Sequence, residues 1–507
     1  MSLAIIYTRA SFGIQAPQIN VEVHISNGLP GFVLVGLPET TVKEAKDRVR
    51  SAIINSGFTF PSKKITVNLS PADLPKEGSR FDLPIAIAIL AATEQIPTEH
   101  IAQYEFLGEL ALSGDIRAVK GAIPAAISSK RKNRTLIISA ENQSEISLIH
   151  DNNTLITNNL SELCQHLFEQ IDLASVEYRE YQNTEDQQAN LEDIIGQEHA
   201  KRALEIAAAG GHNLLLIGPP GTGKTMLATR LTSLLPPLTD NEALESAAIT
   251  SLVSLNGSIK NWRKRPFRSP HHSSSPAALV GGGSLPKPGE ISLAHNGILF
   301  LDELPEFDRK VLDALREPIE SGEITISRAN AKIKFPAKFQ LIAAMNPSPT
   351  GHYQGTHNRT TPQQIIRYLN RLSGPFLDRF DLSIEVPLLP QGTLSKKIVH
   401  AESTQSRKIR VLQSREKQLK RNKKLNSQLM SKEIQLYCQL SNADSDYLEQ
   451  ALIKLGLSAR AWHRILKVSR TIADLDLSET IERKHLSEAL SYRSMDRLLI
   501  QLHKNIG

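Results

Sequence analysis

Asn213-Leu214-Leu215-Leu216-Ile217-Gly218-Pro219-Pro220-Gly221-Thr222-Gly223-Lys224-Thr225 decides how this chain is read. The apolar run before Gly218 reads as a buried strand and Met226 to Leu235 reads as a helix. The pattern G-x-x-x-x-G-K-T therefore falls in a strand-to-helix turn, where backbone N–H groups can cradle phosphate. Glycines let those groups turn inward, and the helix N-terminus adds partial positive charge. Lys224 would then reach the β and γ phosphates of a nucleoside triphosphate, and Thr225 would offer its hydroxyl to Mg²⁺.

Downstream, Ile298-Leu-Phe-Leu-Asp302-Glu303 is a second apolar strand, ending in two carboxylates. In a parallel sheet such a pair emerges at the carboxyl edge, beside the phosphate loop. Asp302 is the expected Mg²⁺ holder, and Glu303 the carboxylate that orients and deprotonates the attacking water. With Gln340-Leu-Ile-Ala-Ala344 as a further strand alternating with helical patterns, residues 191–388 read as an α/β domain with a parallel sheet.

Working outward, 507 residues exceed one hydrophobic core, so two or three domains are expected. Residues 1–168 read as mixed α and β, with a strand at Ile65–Leu69, an apolar helix at Asp82–Ala92 and a buried strand at Arg134–Ser139. Residues 169–190 are taken as a linker, because Glu177 to Asn190 carries almost no apolar side chains. Residues 389–507 read as a helical lid opening on a basic insertion at 407–424, whose charge suits nucleic-acid phosphates. The net charge of +6 permits a nucleic-acid partner without requiring one. Cys164 and Cys438 are the only cysteines and are far apart, which argues for a reducing compartment and against a disulfide framework. The longest apolar run, Leu83 to Ala92, is about half of a membrane span, so a cytoplasmic protein without a membrane partner is expected.

The order of phosphate loop, Asp-Glu strand, a strand ending in Asn346, and Leu377-Asp-Arg379-Phe-Asp381 resembles AAA+ ATPases. That resemblance implies ATP and Mg²⁺ as cofactors. It also implies that Asn346 serves as sensor 1, and that Arg379 is an arginine finger inserted into a neighbouring subunit's nucleotide. Arg460, in Gly456-Leu-Ser-Ala-Arg460-Ala-Trp-His, matches the sensor 2 arginine of a helical lid, with Arg464 as the competing choice. Ile195 and Gly196, in Asp193-Ile-Ile-Gly-Gln197, resemble the entry segment that lies against adenine.

Two inserts, at 262–295 and 323–336, resemble those of magnesium-chelatase motor subunits and MCM helicases. The second alternates on both sides of Ala329-Asn-Ala331 and reads as a hairpin. In such rings the hairpin faces the pore, which makes Arg328, Lys332 and Lys334 candidates for DNA phosphates. The competing reading is an exposed hairpin kept soluble by charge. His271 and His272 lack the spacing and the third ligand of a metal site.

Residues 1–168 resemble the Lon protease domain (ribosomal S5 domain 2-like, α+β) through Leu69-Ser-Pro-Ala-Asp-Leu-Pro-Lys-Glu-Gly78 and Leu107 to Gly121. The Lon serine and lysine fall on Arg80 and Ile123, which cannot form a Ser-Lys dyad, so proteolysis is not expected. Ser79 and Lys120 are the near neighbours through which a slipped match would restore one. A Lon-like domain, an AAA+ core of magnesium-chelatase type and a helical lid together resemble the bacterial ComM/YifB family. Many members carry cysteines just after the sensor 1 asparagine; this chain has Ser348, Thr350, His352 and His357 there, so no zinc is expected. The resemblance implies a hexameric motor that drives DNA branch migration during natural transformation, with DNA, further copies of the chain and recombination proteins as partners. The alternatives are a magnesium-chelatase-like ATPase that remodels a protein, and a nucleotide-dependent scaffold.

Overall fold

The computed structural model describes residues 2–36, 44–76, 78–181, 190–283, 286–328, 331–351, 360–390, 392 and 402–504. Five parallel strands form the central sheet, in the order Phe267–Arg268, Ile298–Leu301, Gln340–Met345, Leu214–Ile217, Leu382–Glu385. The three central strands are buried at every residue, which is why they read as unbroken apolar runs rather than as alternating patterns. Ile217 pairs with Met345 and Leu301 with Ala343, so Gly218, Asp302 and Asn346 leave the sheet side by side at its carboxyl edge.

Successive strand residues divide between two cores, as the period of two requires. Leu214, Leu216, Phe300, Ile342 and Ile384 face helix Glu198–Gly210 and, beyond it, the lid helices Thr404–Asn422 and Ala459–Leu475. Leu215, Ile217, Leu299, Leu301 and Leu341 face the hairpin Glu323–Arg328/Ala331–Pro336 and the last helix, Ser494–Lys504. That last helix corrects the reading of 389–507 as lid alone. Ser383 N–H donates to Tyr492 O (2.8 Å) and Met495 N–H to Ser383 Oγ (3.0 Å), so the chain returns to the edge strand of the ATPase sheet. The first insert is also less irregular than expected, since its Phe267–Arg268 is the outer strand of the sheet.

Residues 2–181 build an eight-stranded mixed sheet, its edges at Gly31–Val35 and Ala174–Ser175. Helix Asp82–Ala92 is buried along its whole length, as the unbroken apolar run after Asp82 demands, and Asp82 itself pairs with Arg48 (2.7 Å). Ala174–Ser175 pairs with Thr154–Thr157, and Tyr178 stacks on His150 at 3.6 Å. The stretch taken as linker therefore begins inside the sheet; its polar part, 182–189, lies outside the described residues. Among the described residues no helix is long and apolar enough to cross a membrane.

This first unit is tied to the ATPase core at two places. Helix Asp240–Ser251 packs Ala243 and Ala247 into a cluster with Ala122, Ala126 and Ile146, and Gly121 N–H donates to Ser251 O (2.8 Å). Nearby, Asn256 N–H donates to Glu145 Oε1 (2.9 Å). The second place is the hairpin, whose apolar face meets Phe12 and Ile14.

Burial pushes the Glu145 carboxyl up to about 7, opposed by the Asn256 N–H, and its Oε2 has no hydrogen-bond partner. The folded value lies above the unfolded one. Glu145 therefore costs nothing below the ordinary carboxylate range, and it destabilises progressively as pH rises toward and through about 7, by about 3 kcal/mol when complete. Glu145→Gln should raise the melting temperature at pH 8 by several degrees and change it little at pH 5. Equal shifts at both pH values would contradict this assignment.

Candidate functional site

The phosphate loop needs its glycines for two different reasons. Gly221 and Gly223 have φ of +76° and +85°, which side-chain-bearing residues adopt at a cost, although a Cβ on either would meet open space. A Cβ on Gly218 would instead run into the carbonyl of Val386. The glycine requirement inferred for phosphate approach is thus already present in the loop's own backbone and packing.

Lys224, at the start of helix Lys224–Leu234, folds its ammonium onto Gly218 O (2.7 Å), Pro219 O (2.8 Å) and Asn346 Oδ1 (3.2 Å). Burial lowers its pKa, opposed by the nearby Asp302 and Glu303 carboxylates. Thr222 Oγ1 donates to Pro219 O (2.9 Å) and braces the loop around Pro219 and Pro220. Thr225 Oγ1 donates to Asp302 Oδ2 (2.7 Å), while Asp302 Oδ1 accepts from Glu303 N–H (2.9 Å). An ammonium, a glycine-rich turn that opens a helix and a hydroxyl–carboxylate pair, all at one sheet edge, fit a magnesium triphosphate. When bound, Mg²⁺ would be held by Thr225 and Asp302 and would neutralise phosphate charge.

Glu303 itself has a left-handed backbone, φ +53° and ψ +47°, uncommon for a residue with a Cβ. Its Oε2 lies 3.1 Å from His272 Nδ1. Nothing in the sequence reading assigned His272 a role beyond the rejected metal site. The signal was strand pairing: Arg268 pairs with Leu299, and four residues further on in each chain stand His272 and Glu303.

Gly196 has φ +65° and sits against Leu389, and Gln197 Nε2 donates to Pro387 O (2.7 Å). Val386 N–H in turn donates to Ile217 O (2.7 Å). Ile195 and Gly196 are thereby brought, through 386–389, alongside the phosphate loop.

Arg379, Arg460 and Arg464 gather at the opposite edge of the sheet. Asp381 N–H donates to Asn213 O (3.1 Å), and Asn213 Nδ2 donates to Arg379 O (2.9 Å). Asn213 precedes the strand whose far end opens on the phosphate loop. The Arg379 guanidinium pairs with Glu320. Next to it, Asp378 accepts from Arg464 (2.8 Å) and Arg460 (3.5 Å). The Arg464 side chain is only 11% exposed and that of Arg460 72%, so Arg464 is held by the fold and Arg460 is the one presented outward.

On the hairpin, Lys332 and Lys334 are exposed; Lys334 lies 3.5 Å from Glu323. Of Arg328 only the backbone pairing with Ala331 is described. The basic run at 407–424 is a correction. It is helix Thr404–Asn422, and most of its cations are engaged by the protein: Arg407 with Glu198 (3.1 Å), Arg410 with Glu205 (2.6 Å), Arg421 with Asp474, Lys417 with Ser478 O (3.0 Å). Arg415 is half-buried and donates to Ala208 O (2.7 Å), and Lys424 pairs with Glu433 (2.7 Å). Glu205 and Asp474 are fully buried carboxylates that need opposite charges, and this helix supplies them. The run is therefore mainly a packing surface rather than a nucleic-acid surface.

In the first unit, the Arg80 guanidinium donates to Lys120 O, Ile123 is buried in an apolar cluster, and Ser79 Oγ donates to Glu109. The two positions at which the resemblance to Lon expects a serine and a lysine thus hold an arginine engaged on Lys120 O and a buried isoleucine. Ser348 is buried with its hydroxyl 3.3 Å from that of Thr350, whereas His352 and His357 lie outside the described residues.

A parallel sheet carrying a phosphate loop and an acid pair at its carboxyl edge, closed by a helical lid, is the core of an AAA+ ATPase. The family described as "Magnesium chelatase, subunit ChlI" matches residues 190–394, "Subunit ChlI of Mg-chelatase" matches 21–142, and "Magnesium chelatase, subunit ChlI C-terminal" matches 401–493. Competence protein ComM of Haemophilus influenzae is 63% identical over 510 residues, covering 99% of each chain. The uncharacterized proteins YifB of Salmonella typhimurium and Escherichia coli are 62% and 61% identical, again over 99% of each chain. The chain belongs to the ComM/YifB family of magnesium-chelatase-like AAA+ ATPases.

Proposed function

We propose that this chain is an ATP-driven ring motor acting on DNA, a cytoplasmic hexamer that drives branch migration and so extends recombination of incoming DNA during natural transformation. The observation that carries the ring is the separation of Arg379 and Arg460 from their own phosphate loop: they lie at the other edge of the sheet, so they serve the nucleotide of a neighbouring copy. Lys224 and the loop bind the phosphates, Thr225 and Asp302 hold Mg²⁺, Glu303 activates water, and Asn346 orients it from the adjacent strand.

Support for DNA comes from the exposed Lys332 and Lys334 on the second insert and from the competence name of the Haemophilus relative. A second reading, a protein-remodelling ATPase, draws on the chelatase family matches and on the internal pairing of the basic helix. A labelled four-way junction separates the two. The motor dissociates it with ATP and not with a non-hydrolysable analogue, and the Glu303→Gln protein leaves it intact. A junction untouched by active enzyme favours protein remodelling.

A further inference from the structure

We propose that His212 is a positioning residue for Arg379: it ties the turn that carries Arg379 to the lid helix Ala459–Leu475, so that finger and lid approach a neighbouring copy's nucleotide as one body. This rests on the reading of Arg379 as an arginine finger.

His212 is fully buried, two residues ahead of the strand Leu214–Ile217 that leads to the phosphate loop. Its Nδ1 lies 3.1 Å from Asp381 Oδ2 and its Nε2 lies 2.8 Å from Thr471 Oγ1. A carboxylate only accepts, so Nδ1–H donates to Asp381 and Nε2 is left for the Thr471 hydroxyl. Room for the ring is reserved in the sequence: a Cβ on Gly210 would stand 2.3 Å from His212 Nε2 and 2.6 Å from Thr471 Oγ1. Burial alone would raise the Asp381 carboxyl, yet the hydrogen bond to His212 and the cations Lys467 and Arg464 hold it below the ordinary carboxylate range. A charged carboxylate gains more from the imidazole N–H than a neutral acceptor would, which favours an intact bridge.

Thr471 stands seven residues, about two turns, after Arg464 on the lid helix and so on the same face. Arg464 holds Asp378 (2.8 Å), while Thr471 reaches Asp381 through His212. One face of the lid helix therefore grips the turn on both sides of Arg379. Thr471 is itself placed by Asn426 Nδ2 (3.1 Å), which also donates to the buried Asp474 (2.9 Å). The Arg379 backbone is fixed through Asn213, the residue after His212. Its guanidinium pairs with Glu320, but the buried Nε has no hydrogen-bond partner. Such a contact costs less to exchange for phosphoryl oxygens than a fully satisfied one. The side chain can thus change partners over a backbone that moves with the lid.

The test uses full-length His212→Asn, which keeps an amide for Asp381 but is too short to reach Thr471. ATP turnover should fall by about ten- to a hundredfold, the cost of misplacing a reacting group by about 1 Å. KM for ATP and equilibrium binding of a fluorescent ATP analogue should stay unchanged. Mixed with Glu303→Gln, whose subunits carry a correctly held Arg379, the variant should recover part of its turnover; mixed with Arg379→Ala it should not. A residue that merely supports the phosphate-loop strand would instead weaken nucleotide binding in its own subunit, beyond repair by any neighbour. That result overturns the proposal, as does unchanged turnover. Thr471→Val, which removes the hydroxyl and keeps the shape, should reproduce the pattern, and Thr471→Ser should restore wild-type turnover. If His212→Asn does not fold, Thr471→Val decides in its place, and wild-type turnover there overturns the bridge. Failure of the underlying reading looks different: Arg379→Ala mixed with Glu303→Gln would then stay inactive.

Discussion

Replacing Glu303 by Gln should lower ATP turnover by about 10²–10⁴-fold while leaving nucleotide binding nearly unchanged. The substitution keeps the size and the hydrogen-bonding capacity toward His272 and removes only the ability to accept a proton. Lys224, Thr225 and Asp302, which in this reading would hold the phosphates and Mg²⁺, are untouched, so affinity for ATP should persist and the bound nucleotide should remain unhydrolysed. Lys224→Ala should differ in kind. The ammonium now on Gly218 O and Pro219 O is the group that would transfer to the phosphates, so its loss should weaken binding itself. Equilibrium binding of a fluorescent ATP analogue alongside turnover separates the two, and retained turnover in Glu303→Gln would remove Glu303 from its role.

The second large effect concerns Arg379. Arg379→Ala should lower turnover by about 10³-fold or more, the range for removal of an arginine finger. Because Arg379 and the phosphate loop of one chain lie at opposite edges of the sheet, this defect should be repairable by a partner. Mixed with Glu303→Gln, which is separately inactive, Arg379→Ala subunits with an intact Glu303 receive Arg379 from their neighbours, and part of the activity should return. A mixture as inactive as its components would place Arg379 in a structural role, where its pairing with Glu320 suffices. The same experiment with Arg460→Ala asks whether the outward-facing lid arginine also acts across the interface; Arg464 is held at Asp378 and should behave as a fold residue.

The residues that gather at the carboxyl edge of the sheet were legible in sequence because each follows an apolar strand in a parallel sheet. Fully buried strands are unbroken apolar runs, and the residue just past the run is the one at the carboxyl edge. The G-x-x-x-x-G-K-T pattern after its strand marked Gly218, the acid pair after its strand marked Asp302, and the resemblance to AAA+ ATPases marked Asn346. Helix Asp82–Ala92 was legible for a similar reason, since every side chain is buried and no amphipathic pattern needs resolving.

What escaped were features set by pairing between distant segments. His272 meets Glu303 only because a two-residue strand, too short to leave a periodic signal, joins the sheet edge. Arg407, Arg410 and Arg421 looked like a nucleic-acid surface because charge counts carry no information on partners. Their partners Glu198, Glu205 and Asp474 lie on other helices, up to about 200 residues away in sequence. The last helix was counted with the lid because helical periodicity does not say which core an apolar stripe will join; Met495, Leu498 and Leu502 join the one beneath the hairpin.

The central claim, a DNA-responsive ring ATPase, is tested most directly by ATP turnover at low salt with no DNA, with single-stranded DNA and with a branched junction, for wild type and for Lys332→Ala combined with Lys334→Ala. DNA should stimulate turnover strongly, the stimulation should fade as salt is added, and the double variant should weaken it, since counterion release at phosphate contacts supplies the binding energy. Turnover indifferent to DNA at low salt would contradict it and would point to a protein as the object of the motor.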